Sequence, residues 1–449
     1  MTRFRKLCCP CILILVFAAS ATAQIDSLVE AVRRGVLEDI RKVLDSGVDV
    51  NARDADGNTA LMWAAGEDLP PEVTALLLSR GADINQVKEG FTALTFAARY
   101  GTRPETIRIL GEAGSDPNFH NSKGWTPLHF AARNNPNPGM CAALLRAGAD
   151  PDSVTSEGFF PLYLACVAGG NRNALSDLVG AVEYVDVRKN PEGLTSLMAA
   201  ARETGNSEIF KLLVAAGADV NAATADNWKP LHFAARFNRE PEIVATLVAL
   251  GAEVNSPAGK DLTPLHMACI ESPSPGVVRA LLRAGADVDA RDRIHGATPL
   301  MLAAANAENV EVLVEMINAG AMVRDFDALG WIPLMWAVYD NDGPGKQEIL
   351  RYLIEEGLKP DSWKREDAGT VRIVAGPGPY LDWQNADGDT ALMLAAQACV
   401  EPFVFDLLLA AGADTTLKNR KGKTACDLAR ANPKLAGTPI PALLKPRKR

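Results

Sequence analysis

The sequence has 449 residues, of which 48% are hydrophobic and 22% are charged, a composition typical of an ordinary globular chain and not of a disordered or membrane-spanning one. The formal net charge is −9, which argues against non-specific nucleic-acid binding, because that binding depends on Lys and Arg side chains that neutralise phosphates. The C-terminal KPRKR is locally basic, and we interpret it as a solvated chain end, so no nucleic-acid partner is expected.

The first predicted element is an export signal in residues 1–23. It has three basic residues among its first six, an apolar stretch from Leu7 to Ala19, and Ala-Thr-Ala at its end, the form that a signal peptidase cleaves. The apolar stretch is shorter than the roughly 20 residues needed to span a bilayer. We therefore expect cleavage after Ala23, a periplasmic or secreted location and no stable membrane insertion afterwards; an uncleaved anchor is the alternative. The absence of Asn-x-Ser/Thr sequons favours a bacterial source.

Beyond the signal, one phrase recurs along the chain. GWTPLHFAAR begins at Gly124, and NWKPLHFAAR begins at Asn227. Alignment on the Thr of TPL, hereafter the Thr position, gives eleven copies, with Phe160, Lys229 and Ile332 in place of Thr in three of them. The positions are 59, 92, 126, 160, 195, 229, 263, 298, 332, 390 and 424. Successive copies are 33 to 35 residues apart, except for one step of 58. The phrase and its period resemble the ankyrin repeat from about residue 25 to about residue 432.

Local residue preferences predict two helices in each repeat. Thr is a good N-cap, Pro fits the first helical turn, and Leu-x-x-Ala-Ala gives a narrow apolar face, so this segment is the first helix. Ten units end their second helix in a glycine, for which we expect the left-handed C-cap conformation. Two residues before the Thr position, nine copies carry glycine and the other two carry Asn227 and Asp261, which tolerate a positive φ. Six prolines, twelve residues after the Thr position, are expected to start second helices: Pro71, Pro104, Pro138, Pro241, Pro275 and Pro402.

The resemblance implies an all-α repeat solenoid of stacked ankyrin helix-turn-helix repeats with β-turn or hairpin fingers. We expect an N-terminal capping helix pair in residues 24–57, the repeat array in 58–422, and a C-terminal cap with the basic tail in 423–449. The long step contains a finger insertion at about 358–387, whose β-prone run and Gly-Pro turn predict a hairpin. The weakest match to the repeat predicts a local distortion near residues 178–192.

The sequence contains no motif for catalysis, metal binding or cofactor binding. It has no Gly-rich phosphate loop, no paired Cys or His at metal-ligand spacing and no serine elbow, so we expect no enzyme activity, no metal and no cofactor. His129, His232 and His266 occupy the fourth position of the phrase, where a hydrogen-bonded structural role at the helix start is expected. The mature cysteines fall where other copies carry small or apolar residues, so buried free thiols are expected: Cys141, Cys166, Cys269, Cys399 and Cys426.

The resemblance to ankyrin repeats also implies a groove that binds proteins. In that family the residue before Thr-Pro and the residue after Ala-Ala commonly line the groove, and here both positions are rich in aromatic residues and arginine, which dominate binding hot spots. The candidate partner-binding residues at these positions are Phe91, Arg99, Trp125, Arg133, Phe159, Arg202, Trp228, Arg236 and Trp331. Tyr380 and Trp383 of the finger insertion complete the candidate set. The alternative is that the aromatic residues only pack against neighbouring fingers.

These observations predict an exported, monomeric, non-enzymatic scaffold that binds an unidentified protein or extended peptide. Two alternatives stay open at this point. One is a secreted effector that acts on a host protein, and the other is an enzyme with an unrecognised site near the finger insertion.

Overall fold

The computed structural model describes residues 26–167, 171–270, 274–339, 345–359, 364–367, 370–373, 380–398 and 401–445. The predicted signal peptide and Cys399 lie outside these residues. The chain divides into two compact units, Met1–Asp219 and Val220–Arg449. Each unit is a series of helix pairs in which a first helix follows the Thr position and a second helix follows the first.

The first unit opens with a helix over residues 26–34. It continues with the helices Leu37–Asp45, Ala60–Gly66, Pro71–Ser79, Ala93–Tyr100, Pro104–Glu112, Pro127–Asn134, Met140–Arg146, Pro161–Val167, Arg172–Val179, Ser196–Glu203 and Ser207–Ala215. Within this unit the first helices of neighbouring repeats contact one another, and alanines of these helices, such as Ala97 and Ala131, are fully buried.

The helices of the second unit are Pro230–Phe237, Pro241–Ala249, Pro264–Ala268, Pro275–Arg283, Pro299–Asn306, Glu311–Asn318, Pro333–Tyr339, Lys346–Leu358, Ala391–Ala398, Pro402–Ala410, Ala425–Ala431 and Ile440–Leu443. The finger insertion contains two antiparallel strands, Lys364–Asp367 and Thr370–Ile373, with Lys364 opposite Ile373. A 3-10 turn, Tyr380–Asp382, follows them. The insertion therefore forms the hairpin that its composition predicts.

Prolines start five second helices as expected, but Pro138 does not. The helix of that repeat begins at Met140, because Gly139 before it is in the left-handed conformation, with φ 75°. The extra glycine delays the start of the helix by two residues.

Positive φ angles recur where the finger returns to the first helix. All nine glycines two residues before the Thr position have positive φ, and so do Asn227 and Asp261, both at φ 62°. Because a Cβ is disfavoured in this region, the position tolerates Gly, Asn and Asp better than other residues. The prediction from the sequence is confirmed in every copy.

The glycines that end the second helices follow the prediction with one exception. Nine of the ten have the left-handed conformation, but Gly357 lies inside the helix Lys346–Leu358. A Cβ at Gly357 would lie 2.0 Å from Cε1 of Tyr380. This glycine is therefore required by the approach of an aromatic ring and not by a helix end.

Asparagines four residues after several of the left-handed glycines that end second helices form hydrogen bonds from one repeat to the next. The Asn118 Nδ2 atom donates to the Gly148 carbonyl at 3.0 Å, and its Oδ1 atom accepts from the Asp150 N–H at 2.8 Å. Asn51, Asn221 and Asn255 make the same pair of bonds to their following repeats. Each side chain thus satisfies a carbonyl at the end of a helix, which would otherwise lack a partner.

The distortion expected near residues 178–192 is present at the helix end. Gly180 has a right-handed conformation, with φ −84°, whereas nine other repeats have a left-handed glycine at the end of the second helix. Asp186 replaces the connecting asparagine, and its Oδ2 atom accepts from the Asp219 N–H at 2.7 Å. This repeat therefore keeps half of the connection, because a carboxylate cannot donate to a carbonyl.

The three histidines of the recurring phrase, His129, His232 and His266, form hydrogen bonds through both ring nitrogens, one of them to the next repeat. The Nδ1 atom of His129 accepts from the Thr126 N–H at 3.2 Å, so its Nε2 atom carries the proton and donates to the Phe159 carbonyl at 3.2 Å. His232 and His266 repeat the arrangement. Burial lowers the pKa of His129 and of His232 to about 4 and also lowers the pKa of His266. The expected structural role is confirmed by this geometry.

The described cysteines are buried free thiols, as expected. Cys141, Cys166, Cys269 and Cys426 lie in the helical core. Burial raises the pKa of the first three thiols. They act as small apolar core residues.

Candidate functional site

In the first unit, two candidate aromatic residues pack on a third that sequence reasoning missed. The ring centroid of Phe130 lies 4.9 Å from that of Phe91 and 5.0 Å from that of Trp125. Phe130 is only 6% exposed, whereas Phe91 and Trp125 are half-buried. The two outer rings thus rest on a fixed inner ring and keep part of their surface in water.

Two candidate arginines lie against these rings. The Arg99 Cζ atom is 5.6 Å from the centroid of Phe91 and 5.4 Å from that of Phe130, and the Arg133 Cζ atom is 5.5 Å from that of Trp125. These distances are in the range of cation–π interactions, in which a guanidinium is attracted to the face of an aromatic ring. We call these five residues, Phe91, Arg99, Trp125, Phe130 and Arg133, the aromatic–arginine cluster.

The guanidiniums of the cluster keep their hydrogen-bonding capacity for a ligand or for water. Among the residues that the structure describes, neither Arg99 nor Arg133 forms an ion pair or donates a side-chain hydrogen bond. Each guanidinium has five N–H donors and no acceptor. The cluster therefore presents positive charge next to partly exposed aromatic surface.

Arg202 occupies the equivalent position but has a different environment. It pairs with Glu192 at 2.5 Å and with Glu203 at 2.8 Å. The residue before its Thr position is Leu194, which is 3% exposed. The structure therefore does not bring Arg202 into the aromatic–arginine cluster.

The candidate Phe159 is half-buried and stacks on Tyr163, with ring centroids 5.4 Å apart.

The second unit carries an arrangement of the same kind. Trp228 lies 5.2 Å from Phe233 and 6.3 Å from Phe237 between centroids, and the Arg236 Cζ atom is 5.7 Å from the Trp228 ring. Phe237 is 44% exposed.

Trp331 of the same unit is half-buried and contacts two rings edge-on. Its centroid lies 6.2 Å from that of Trp336 and 5.2 Å from that of Tyr339, which is 57% exposed. Trp336 also donates its indole N–H to Asp327 at 3.2 Å. One ring of this group is therefore held by a hydrogen bond, and the Tyr339 ring faces water.

The structure corrects the prediction for Tyr380. Its side chain is 3% exposed, and its ring packs on Gly357 and on Arg324, whose Cζ atom is 5.4 Å from the centroid. Arg324 donates to the Gly357 carbonyl at 2.8 Å. Tyr380 is thus a core residue that closes the base of the insertion, because a large ring fits where Gly357 has no side chain.

Trp383 serves the same base of the insertion. Its indole N–H donates to the Gly330 carbonyl at 2.8 Å, and its ring stacks on Phe326 with centroids 5.6 Å apart. The ring is half-buried. Its polar atom and one ring face are occupied by the protein itself, so it offers less binding surface than Trp125.

The aromatic residues that sequence reasoning missed share one position in the repeat. They follow the Thr position by four residues and include Trp63, Phe96, Phe130, Phe233 and Trp336. The two most similar copies of the phrase, GWTPLHFAAR and NWKPLHFAAR, contain this signal, since both carry Phe at that place. A helix turns about 100° per residue, so residues at this position and at the end of the first helix are near one another.

The part of the chain that the structure describes contains no group of three or more His, Cys, Asp or Glu side chains arranged to hold a metal ion. None of its helices combines the length and the apolar character required to cross a membrane.

Comparison with known families places most of the chain in one family. The sequence model described as ankyrin repeats (3 copies) matches residues 28–121, 100–188, 170–258, 197–292 and 265–363. The model described as ankyrin repeat matches residues 387–420.

Individual relatives share shorter stretches. An ankyrin repeat-containing protein of Treponema pallidum (strain Nichols) is 32% identical over 99 residues, 22% of this chain and 33% of that protein. The Notch-regulated ankyrin repeat-containing protein of Xenopus laevis is 38% identical over 71 residues, 15% of this chain and 61% of that protein. The ankyrin repeat domain-containing protein SAT10 of Stachybotrys chartarum is 37% identical over 94 residues, 21% of this chain and 5% of that protein. The alignments cover less than two thirds of each relative.

A solved structure, the human ASB11 ankyrin repeat domain, is also similar. It is 25% identical, covers 56% of this chain and 99% of its own, and has a TM-score of 0.43.

Proposed function

This chain belongs to the ankyrin repeat family, and from that premise we propose that it is a non-enzymatic, exported scaffold that binds a protein or extended peptide. Ankyrin repeats generally mediate protein–protein interaction. The observation that carries the proposal is the aromatic–arginine cluster, because it combines partly exposed aromatic surface with arginine on a helical base. These residue types are enriched in binding hot spots.

The packing of the cluster favours binding because little order is lost when a partner docks. Trp125 is held by Phe130 beneath it and by Arg133 beside it. Fixing a free side chain at an interface costs roughly 0.5–1.5 kcal/mol. A ring that is already fixed avoids most of that cost. Trp228, held by Phe233 and Arg236, forms an analogous surface in the second unit.

Binding by the cluster is tested with paired variants. We expect Trp125→Ala to lose about 2 kcal/mol of partner affinity, while the helical circular dichroism and melting temperature stay near those of the wild type. Proteins retained from periplasmic and secreted fractions by the immobilised wild-type chain should be lost with the Phe91→Ala/Trp125→Ala variant. Tyr184, which is 65% exposed, supplies the control Tyr184→Ala. Equal retention of every protein by the double variant and the control would contradict the proposal.

Export is tested separately. When the full chain is produced in a bacterium, we expect the exported protein to begin at Gln24, because Ala-Thr-Ala precedes that residue. N-terminal sequencing reads this directly, and Ala23→Arg should block the cleavage. Material that retains Met1 after fractionation would contradict the proposed export.

A further inference from the structure

We propose that the aromatic–arginine cluster selects an acidic, extended segment of its partner, with carboxylates about three residues apart. This inference rests on the proposed function and specifies the chemistry of the partner. It depends on the difference between two of the four predicted binding arginines, Arg99 and Arg133, and another of them, Arg202.

Among the residues that the structure describes, Arg99 and Arg133 have no carboxylate partner, in a unit where many arginines have one. The carboxylate-paired arginines described in the first unit include Arg33, Arg34, Arg80, Arg103, Arg108 and Arg202. Arg202 shows that the position after Ala-Ala can be neutralised from within the chain, through Glu192 and Glu203. At Arg99 and Arg133 the neighbours are aromatic rings instead.

A carboxylate is the ligand group that fits these two guanidiniums best. Their charge is attracted to the ring faces, while their N–H groups have no acceptor among the described residues. Arginine pairs with carboxylates through two parallel N–H···O bonds, and the neighbouring apolar surface strengthens such a pair by excluding water. The net charge of −9 makes a local positive site on this chain selective, because an acidic segment is repelled elsewhere.

The repeat geometry sets the spacing of the carboxylates. Packed helices lie roughly 8–10 Å apart, and Arg99 and Arg133 end the first helices of neighbouring repeats. An extended chain advances about 3.3 Å per residue, so three residues cover about one repeat. Acidic residues at positions i and i+3 would reach the two arginines, and an apolar residue between them would contact Phe91 or Trp125.

The inference is tested by selecting random 12-residue peptides displayed on phage against the immobilised wild-type chain. We expect enrichment of peptides with Asp or Glu three residues apart and an aromatic or aliphatic residue between them. A synthetic selected peptide should bind the Arg99→Gln/Arg133→Gln variant about tenfold or more weakly. Its amide counterpart, with Asn and Gln in place of the acids, should bind the wild type with a similar loss. Arg202→Gln is the matched control and should bind like the wild type.

The outcomes separate this inference from the proposed function. Enriched peptides that lack acidic residues, or that bind the Arg99→Gln/Arg133→Gln variant as tightly as the wild type, would overturn the inference alone. No enrichment, or enriched peptides that bind the Phe91→Ala/Trp125→Ala variant at full strength, would overturn both. Raising the salt concentration should weaken binding to the wild type more than to the double arginine variant, because screening acts on the charge pairs.

Discussion

The aromatic–arginine cluster of the first unit and the base of the finger insertion in the second use the same residue types for different purposes. In both, an arginine lies against an aromatic ring at about the same distance, 5.5 Å for Arg133 and Trp125 and 5.4 Å for Arg324 and Tyr380. Arg133 is exposed, however, whereas Arg324 is 9% exposed and hydrogen-bonded to the Gly357 carbonyl. An arginine–aromatic contact therefore identifies a surface only when both partners reach water.

The difference follows from where each ring leaves the backbone. Phe91 and Trp125 stand directly before the Thr position, at the junction of a finger and a first helix, and both residues are half-buried there. Tyr380 follows the insertion hairpin and turns into a gap that Gly357 leaves open. Phe91 and Trp125 therefore offer binding surface, whereas Tyr380 packs the inserted segment against its repeat.

The largest expected effect is the loss of Tyr380 packing. Tyr380→Ala should cost about 3–5 kcal/mol of unfolding free energy in urea denaturation, because it empties a fully enclosed site. Tyr380→Phe should cost little or stabilise, since the hydroxyl is buried without a hydrogen-bond partner among the described residues. An exposed Tyr380 would give a small effect for both changes and would remove the contrast with the cluster.

Gly357→Ala also tests the packing of Tyr380 on Gly357, and a Gly-to-Ala change inside a helix is normally stabilising. Here the new methyl group would overlap the Tyr380 ring, so we expect a loss of a few kcal/mol of unfolding free energy. Gly180→Ala is the control, since Gly180 has a right-handed conformation and no atom within 4 Å of its added Cβ. That control should be neutral or stabilising by up to about 1 kcal/mol, and equal effects at the two glycines would contradict the packing.

Protonation of His129 at acid pH should lower the stability of the repeat that contains Trp125, Phe130 and Arg133. Its folded-state pKa is lowered from 6.5 to about 4, so between these values the unfolded chain binds the extra proton. The stability that the neutral ring contributes is present above pH 6.5 and is lost as the pH falls through about 4. Lowering the pH from 7.5 to 5 should remove about 2 kcal/mol through this residue. Urea titrations of wild type and His129→Gln should differ by that amount in their pH dependence; parallel curves would contradict the assignment.

A smaller effect on stability distinguishes Trp383 from Trp125, because only the indole N–H of Trp383 donates a hydrogen bond to a described residue. Trp383→Phe should cost about 1 kcal/mol beyond the packing change, because the Gly330 carbonyl loses its donor. Trp125→Phe removes no hydrogen bond to a described residue and should leave the melting temperature unchanged. Differential scanning calorimetry would show the difference, and equal shifts would contradict it.

The parts of this structure that local rules govern could be predicted from the sequence. The sequence predicts a positive φ at Asn227 and Asp261 because few residue types tolerate it, and a role for His129 at the helix start because the phrase places it there. Gly357 resembles the other helix-ending glycines in sequence, and only the ring of Tyr380, which follows the hairpin of the insertion, explains it. The pairing of Arg202 with Glu192 likewise depends on how a finger folds back, which no local pattern specifies.

The most direct test of the account compares Trp125→Ala with Trp383→Ala in two measurements, thermal melting and affinity for a peptide selected on the wild-type chain. The account predicts that Trp125→Ala weakens peptide binding by about 2 kcal/mol with little change in melting temperature. It predicts that Trp383→Ala lowers the melting temperature by several degrees and leaves peptide binding intact. The reverse pattern, with Trp383→Ala abolishing binding and Trp125→Ala only lowering the melting temperature, would contradict the account and place the binding surface at the insertion.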